Sequence, residues 1–230
     1  MTKKIAFKTI FWSRRSLRLG TAAQCGMLPR QSPRGERLCR DQKLKTMKTK
    51  YILHGGYAGK ENKENDKFFK EILSSPEMEL TILLVYFAKN KKDYKRVKSE
   101  DIRQFNRNAN NKILNFKIAE KKNFIKQIKE SDVIYLHGGK TSKLLKALKK
   151  YNNFSEVIKG KIIAGESAGA YVLSSYFYSK SERGYFEGLK LLPVKIICHY
   201  VGENREQLNK CSFDYKELLL RDFKFKAFKI

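Results

Sequence analysis

The feature that most constrains this chain is a set of short apolar runs, too brief for helices, with helix-patterned segments between them. Residues 80–87, Leu-Thr-Ile-Leu-Leu-Val-Tyr-Phe, are apolar almost throughout, which suits a strand buried on both faces of a parallel sheet. Residues 51–54, 133–136, 161–164 and 195–198 read the same way, and 113–118 more weakly. Between them, residues 62–73 put Phe68, Phe69, Ile72 and Leu73 on one helical face, 93–108 form a charged helix, and 122–130 a short one. Residues 142–150 place Leu144, Leu145 and Leu148 toward a core, with Thr141 as the expected cap. Residues 205–220 read as a helix and 223–230 as a final strand. Repeated β-α-β units imply right-handed crossovers, hence an α/β three-layer sandwich: a mainly parallel sheet with helices on both faces.

Residues 1–46 do not share this pattern. They hold seven arginines and five lysines against Glu36 and Asp41, and they contain the loop-like run Pro29-Arg30-Gln31-Ser32-Pro33-Arg34-Gly35. A disordered basic arm, a targeting segment and an extension upstream of a domain starting at Met47 all fit. We expect a basic, disordered extension over 1–46 and one domain over 47–230. The net charge of +27 is large, but the lysines are spread over the whole body and no RNP-type, zinc-finger or helix-turn-helix pattern accompanies them. A lysine-decorated surface is therefore expected rather than a nucleic-acid interface. No run approaches the ~20 apolar residues of a membrane span. The four cysteines (Cys25, Cys39, Cys198, Cys211) show no C-x-x-C spacing, so neither a disulfide framework nor a zinc site is expected, and a reducing cytoplasm is the expected compartment.

Chemistry points to Gly165-Glu166-Ser167-Ala168-Gly169, a G-x-S-x-G turn between the 161–164 strand and a helical Ala168–Leu173. A serine on such a turn is held in strained backbone with its hydroxyl projecting at the sheet's carboxyl edge. Glycines on either side let strand and helix approach, and the helix start turns its N–H groups toward the same spot. A serine hydroxyl needs a base. His54, His137 and His199 all end predicted strands, so all three could line one crevice at the strand ends. His199 is the expected base. The Gly138-Gly139 pair before a helix can present a backbone N–H to an anion or carbonyl oxygen, or can simply turn.

Taken together, Gly138-Gly139-Lys140-Thr141-x-x-Leu144-Leu145, Gly165-x-Ser167-Ala168-Gly169-Ala170, Gly188-Leu189-x-Leu191-Leu192-Pro193 and His199-Tyr200 resemble the aspartyl dipeptidase and cyanophycinase family of serine peptidases over about residues 47–230. That resemblance implies a class I glutamine amidotransferase-like fold. It implies Ser167 as nucleophile, His199 as base, Gly139 and Ala168 as oxyanion donors and Arg205 as a substrate contact, without metal or organic cofactor; His137 is a candidate substrate contact from its place at a strand end, a structural histidine being the other reading. The resemblance also implies a carboxylate just after the strand that follows the Arg-bearing helix. With 205–220 read as helix, that strand becomes 225–230 and the acid falls outside the chain, as in a truncated member. Glu182 and Glu187 are then the stand-ins, Glu182 the better placed.

Three function classes fit: a serine exopeptidase on small peptides, those with an N-terminal Asp included; an α/β-hydrolase-type esterase; and a catalytically impaired basic binding module. The first is the main expectation, with a small peptide as the partner.

Overall fold

A computed structural model describes residues 48–210 and 213–230; the 1–46 extension expected from sequence lies outside them. Among the described residues, ten strands and six α-helices follow in chain order. They are β1 (Lys50–His54), α1 (Lys63–Ile72), β2 (Glu79–Val85), α2 (Tyr94–Arg107), β3 (Ile113–Ile118), α3 (Phe124–Lys129), β4 (Val133–Leu136), α4 (Thr141–Leu148), α5 (Phe154–Val157), β5 (Ile162–Glu166), α6 (Ala168–Leu173), β6 (Ser174–Ser179), β7 (Gly184–Glu187), β8 (Leu192–Cys198), β9 (Lys216–Leu220) and β10 (Phe225–Lys229).

The main sheet has the order β10-β1-β5-β4-β2-β3, parallel except for β10, which runs antiparallel to β1. The pleat divides its side chains between two cores. Leu83 and Val85 of β2 join Leu53, Ile134, Leu136 and Ile163 on one face, under α3, α4, α5 and α6. Ile82 and Leu84 join Ile52, Tyr135 and Ala164 on the other, under α1 and α2. This two-sided burial is why β2 reads as an unbroken apolar run instead of alternating. In α1 the Asn62 side chain accepts from the Glu64 N–H at 2.8 Å, and Phe68, Phe69 and Ile72 are buried. Truncating one of these rings to Ala would cost about 3–5 kcal/mol.

A second, four-stranded sheet has the order β7-β6-β8-β9, with β6, β8 and β9 parallel and β7 antiparallel. Its Phe177, Leu192, Val194, Ile196, Leu218 and Leu220 pack into the first of the two cores. The arrangement is an α/β sandwich with mostly parallel strands, as expected, but it is built on two sheets instead of one. The largest difference lies at residues 205–220. Arg205–Lys210 is a 3₁₀ segment and Lys216–Leu220 is strand β9, paired with β8 from Val194↔Lys216 to Cys198↔Leu220. The alternation Leu218/Leu220 inward, Leu219 partly exposed, is the period-2 signal that the helical reading overlooked. Thr141 also differs: it is the buried first residue of α4 rather than its cap, which falls at Lys140.

Candidate active site

β5 delivers the serine turn. Ser167 has φ +49° and ψ −102°, a conformation L-residues avoid and one that costs of order 1–3 kcal/mol. The surrounding structure enforces it: the Ser167 N–H donates to the His54 carbonyl at 2.9 Å, and the Ser167 carbonyl accepts from the Tyr171 N–H at 2.9 Å. The flanking glycines are sterically required. A side-chain carbon on Gly165 would lie 2.4 Å from the carbonyl carbon of Gly169, and one on Gly169 would lie 2.1 Å from the Leu136 oxygen.

β8 delivers His199 one residue past its end, again with positive φ (+54°). Its N–H donates to the Gly55 carbonyl at 3.1 Å, tying β8 of the small sheet to β1 of the large one. The exposed imidazole stands against Ser167, with Nε2 2.9 Å from Oγ. Nδ1 lies 2.6 Å from Asp222 Oδ1. With Nδ1–H donated to the carboxylate, Nε2 presents its lone pair to the hydroxyl. Gly56 is the floor of this arrangement: a Cβ there would lie 2.0 Å from His199 Cε1.

Asp222 is the carboxylate that the sequence reading missed. It follows β9 directly, in the turn into β10, where the resemblance asks for an acid once 216–220 is read as a strand. The turn is fastened by Tyr200 N–H to the Leu220 carbonyl (3.0 Å), Phe223 N–H to the Gly56 carbonyl (3.2 Å) and Gly55 N–H to the Lys224 carbonyl (2.8 Å). The signal was present in Leu220-Arg221-Asp222, an acid at the end of an alternating run, but a helix over 205–220 hid it. Glu182 is displaced from the role expected of it. It sits between β6 and β7, and its Oε1 accepts from the Ser142 N–H at 3.1 Å in the first turn of α4, where a carboxylate meets the helix's unpaired donors. Glu187 pairs with Lys190 at 3.3 Å.

The amides of Gly139 and Ala168, expected as oxyanion donors, donate to no acceptor among the described residues. Arg205 is exposed, and its Nε donates to Glu217 at 2.8 Å, so its guanidinium is engaged within the chain. Tyr57, not foreseen from sequence, leans its ring edge-on to the His199 imidazole (centroids 5.4 Å apart) and lies 6.0 Å from Phe223, with Lys60 Nζ 4.3 Å over the ring.

The other two histidines do not reach the rim. His54 is fully buried; its Nδ1 accepts from the Gly56 N–H at 3.1 Å and its Nε2 lies 2.9 Å from Asn65 Oδ1. That pairing fixes the neutral Nε2–H tautomer, in keeping with burial lowering its pKa despite the neighbouring Glu166. His137 is 5% exposed, and its Nδ1 points to Asp101, 3.0 and 3.2 Å from the two carboxylate oxygens, with Glu166 at 3.8 Å. It is an interior group, not the substrate contact expected of it. Burial works against a charge on His137, but Asp101 and then Glu166 outweigh it and raise its pKa. Burial likewise pushes Glu166 up, but His137, His54 and the backbone N–H groups of Ala58 and Gly138 hold it below the usual carboxylate range. Cys198 is buried, its thiol pushed up by burial, so it offers no competing nucleophile. Among the described residues no group of three or more His, Cys, Asp or Glu is placed to hold a metal ion, and no helix is long and apolar enough to cross a membrane.

Fold and site together define an α/β protein of the class I glutamine amidotransferase-like type, with a hydroxyl, an imidazole and a carboxylate in line at the strand ends. The sequence profile of Peptidase family S51 matches residues 52–217, and the chain belongs to that family and is a peptidase in that sense. Two solved structures are similar to it. One is a peptidase from an acI-B1 Actinobacterium, 18% identical with a TM-score of 0.59, covering 80% of this chain and 84% of that one. The other is a putative peptidase E protein from Listeria monocytogenes EGD-e, 17% identical with a TM-score of 0.56, covering 79% of this chain and 95% of that one. At these identities they speak for the fold alone. No curated protein matches the chain.

Proposed function

We propose that this chain is a serine peptidase in which Ser167 is the nucleophile, His199 its general base and Asp222 the carboxylate that orients the base. The observation that carries this reading is the unbroken line from Oγ to Nε2 at 2.9 Å and from Nδ1 to Oδ1 at 2.6 Å. Ser167 Oγ attacks the scissile carbonyl while Nε2 takes its proton, and Asp222 stabilises the imidazolium that forms. The carbonyl oxygen becomes an oxyanion facing the free N–H groups of Gly139 and Ala168. Collapse breaks the C–N bond, and the amine departs with the proton from Nε2. Water then attacks the acyl-serine ester, gives a proton to Nε2, and releases the acid product as Oγ is reprotonated.

The substrate we assign is a small peptide, with an N-terminal Asp preferred. Support for the preference is the resemblance to aspartyl dipeptidases and the chain's excess of cations. Asp222, 2.6 Å from His199 Nδ1, supports the catalytic reading over that of an impaired basic binding module, whose supports are the positive charge and the arginine-rich arm. Incubating the protein with a panel of dipeptides differing only in the first residue tests the assignment. Faster release of free amino acids from Asp-Leu than from Ala-Leu or Lys-Leu supports it. Folded protein that cleaves none of them refutes the peptidase reading, and cleavage without an Asp preference refutes the specificity alone.

A further inference from the structure

Directly beneath the serine turn lies a second set of ionisable groups that the reaction above does not use. Glu166 precedes Ser167, yet its carboxylate turns inward and bridges three loops. Oε1 accepts from the Ala58 N–H at 2.9 Å, and Oε2 accepts from the Gly138 N–H at 3.3 Å and lies 3.8 Å from His137 Nδ1. His137 in turn donates to Asp101, which is fully buried on α2. The rings of Tyr86 and Tyr135 stand edge-on to the imidazole, with centroids 5.5 and 6.1 Å away. The three loops so joined are the one after β1 that abuts His199, the one after β4 that carries Gly139, and the serine turn itself.

An anionic side chain one residue from the nucleophile opposes the negative charge that develops on the carbonyl oxygen. Its neutralisation therefore matters to the rate. We propose that Asp101, His137 and Glu166 form a buried positioning unit that ties the serine turn to the Gly139 loop, with a protonated His137 offsetting part of the negative charge that the two carboxylates place under the oxyanion site. This rests on the assignment of Ser167 as nucleophile. His137 faces Asp101 from α2, Tyr86 and Lys89 from the segment after β2, Tyr135 from β4 and Glu166 from β5, while His54 of β1 faces Glu166. Burial and, more weakly, Lys89 oppose a charge on His137, and Asp101 is the leading group that favours it.

A group with a raised pKa keeps its proton to higher pH than usual and loses it as pH rises through that value. The unit therefore predicts an alkaline fall in kcat, about 10- to 100-fold, that coincides with deprotonation of His137. Asp101→Asn keeps the shape but withdraws the carboxylate's charge, so both events move together to lower pH by about one unit. The test follows the His137 ring by ¹⁵N NMR in protein labelled at histidine, and the kcat–pH profile, in wild type and in Asp101→Asn. Fluorophosphonate labelling of wild-type Ser167 runs alongside.

Coincident midpoints that shift together support the unit. A neutral His137 ring across pH 6–8 in the wild type overturns it, and that spectrum needs no variant to fold. So does a uniform loss of kcat in Asp101→Asn with the alkaline limb unmoved, the result a merely structural role would give. Labelled wild type with an unmoved limb defeats this proposal alone, whereas absence of labelling defeats the assignment of Ser167 as well.

Discussion

The molecule holds two histidine–carboxylate pairs a few residues from the same serine, and they differ in almost every physical respect. The His199–Asp222 pair stands at the rim, its side chains 41% and 33% exposed. The His137–Asp101 pair lies inside, at 7% and 0%. The outer pair presents one imidazole nitrogen to a hydroxyl; the inner pair is enclosed by two tyrosine rings and the Glu166 carboxylate. Burial makes an ion pair costly to break but worth little as net stabilisation, and exposure makes it cheap to break and thermodynamically nearly silent. The outer pair is thus free to act in chemistry without holding the fold, and the inner one to hold geometry without meeting substrate.

The largest effect that could break this contrast comes from His199→Ala. We expect kcat to fall about 10⁶-fold while stability in urea changes by less than about 1 kcal/mol. A large loss of stability would place His199 among the structural groups. Next, Asp222→Asn should cost about 10⁴-fold in kcat by releasing the imidazole tautomer, and Glu182→Gln should leave peptide cleavage unchanged. Equal effects of the two substitutions would reopen the assignment of the acid. Gly56→Ala probes the floor under the outer imidazole. Its methyl group displaces His199, and about 10²-fold in kcat should be lost from misplacement alone, read by steady-state kinetics on protein of normal circular dichroism.

Stability, not rate, sharpens the inner half. His137→Ala leaves Asp101 and Glu166 without their partner and should cost about 3–5 kcal/mol in denaturant unfolding. Its pH dependence has a defined sign. The raised pKa of His137 contributes stability that is fully present below about 6.5 and is lost as pH rises through the folded value. The depressed pKa of Glu166 contributes stability present above about 4.3 and lost as pH falls through its folded value. Urea midpoints measured from pH 4 to 9 should therefore be highest between these limits in the wild type. In His137→Ala the alkaline decline should be smaller.

The fold was legible where burial is two-sided and uniform. The runs at 51–54, 80–87, 133–136 and 161–164 each became a strand of the main sheet, because an apolar run of that length has no amphipathic helical reading. Ser167 and His199 were legible for a different reason: the glycines around one, and the end of a strand before the other, leave a local trace. Asp222 was not, because its place depends on β9, and Lys216-Glu217-Leu218-Leu219-Leu220 satisfies both a helical and a strand pattern until its pairing with β8 decides. Strands β6 and β7 escaped notice for a similar reason, since Ser174–Ser179 is mostly Ser and Tyr and carries no marked alternation. The inner cluster was illegible altogether. Asp101 reads as one more charge on a polar helix, and only the packing of α2 in the core with Ile82, Tyr135 and Ala164 brings it to His137.

The central claim is that the Ser167 hydroxyl is an activated nucleophile, and a fluorophosphonate probe measures that most directly. The account predicts stoichiometric labelling mapped to the peptide that contains Ser167, absent in Ser167→Ala and slowed by orders of magnitude in His199→Ala and Asp222→Asn. Folded wild-type protein that stays unlabelled, or labelling that persists in Ser167→Ala, would contradict it.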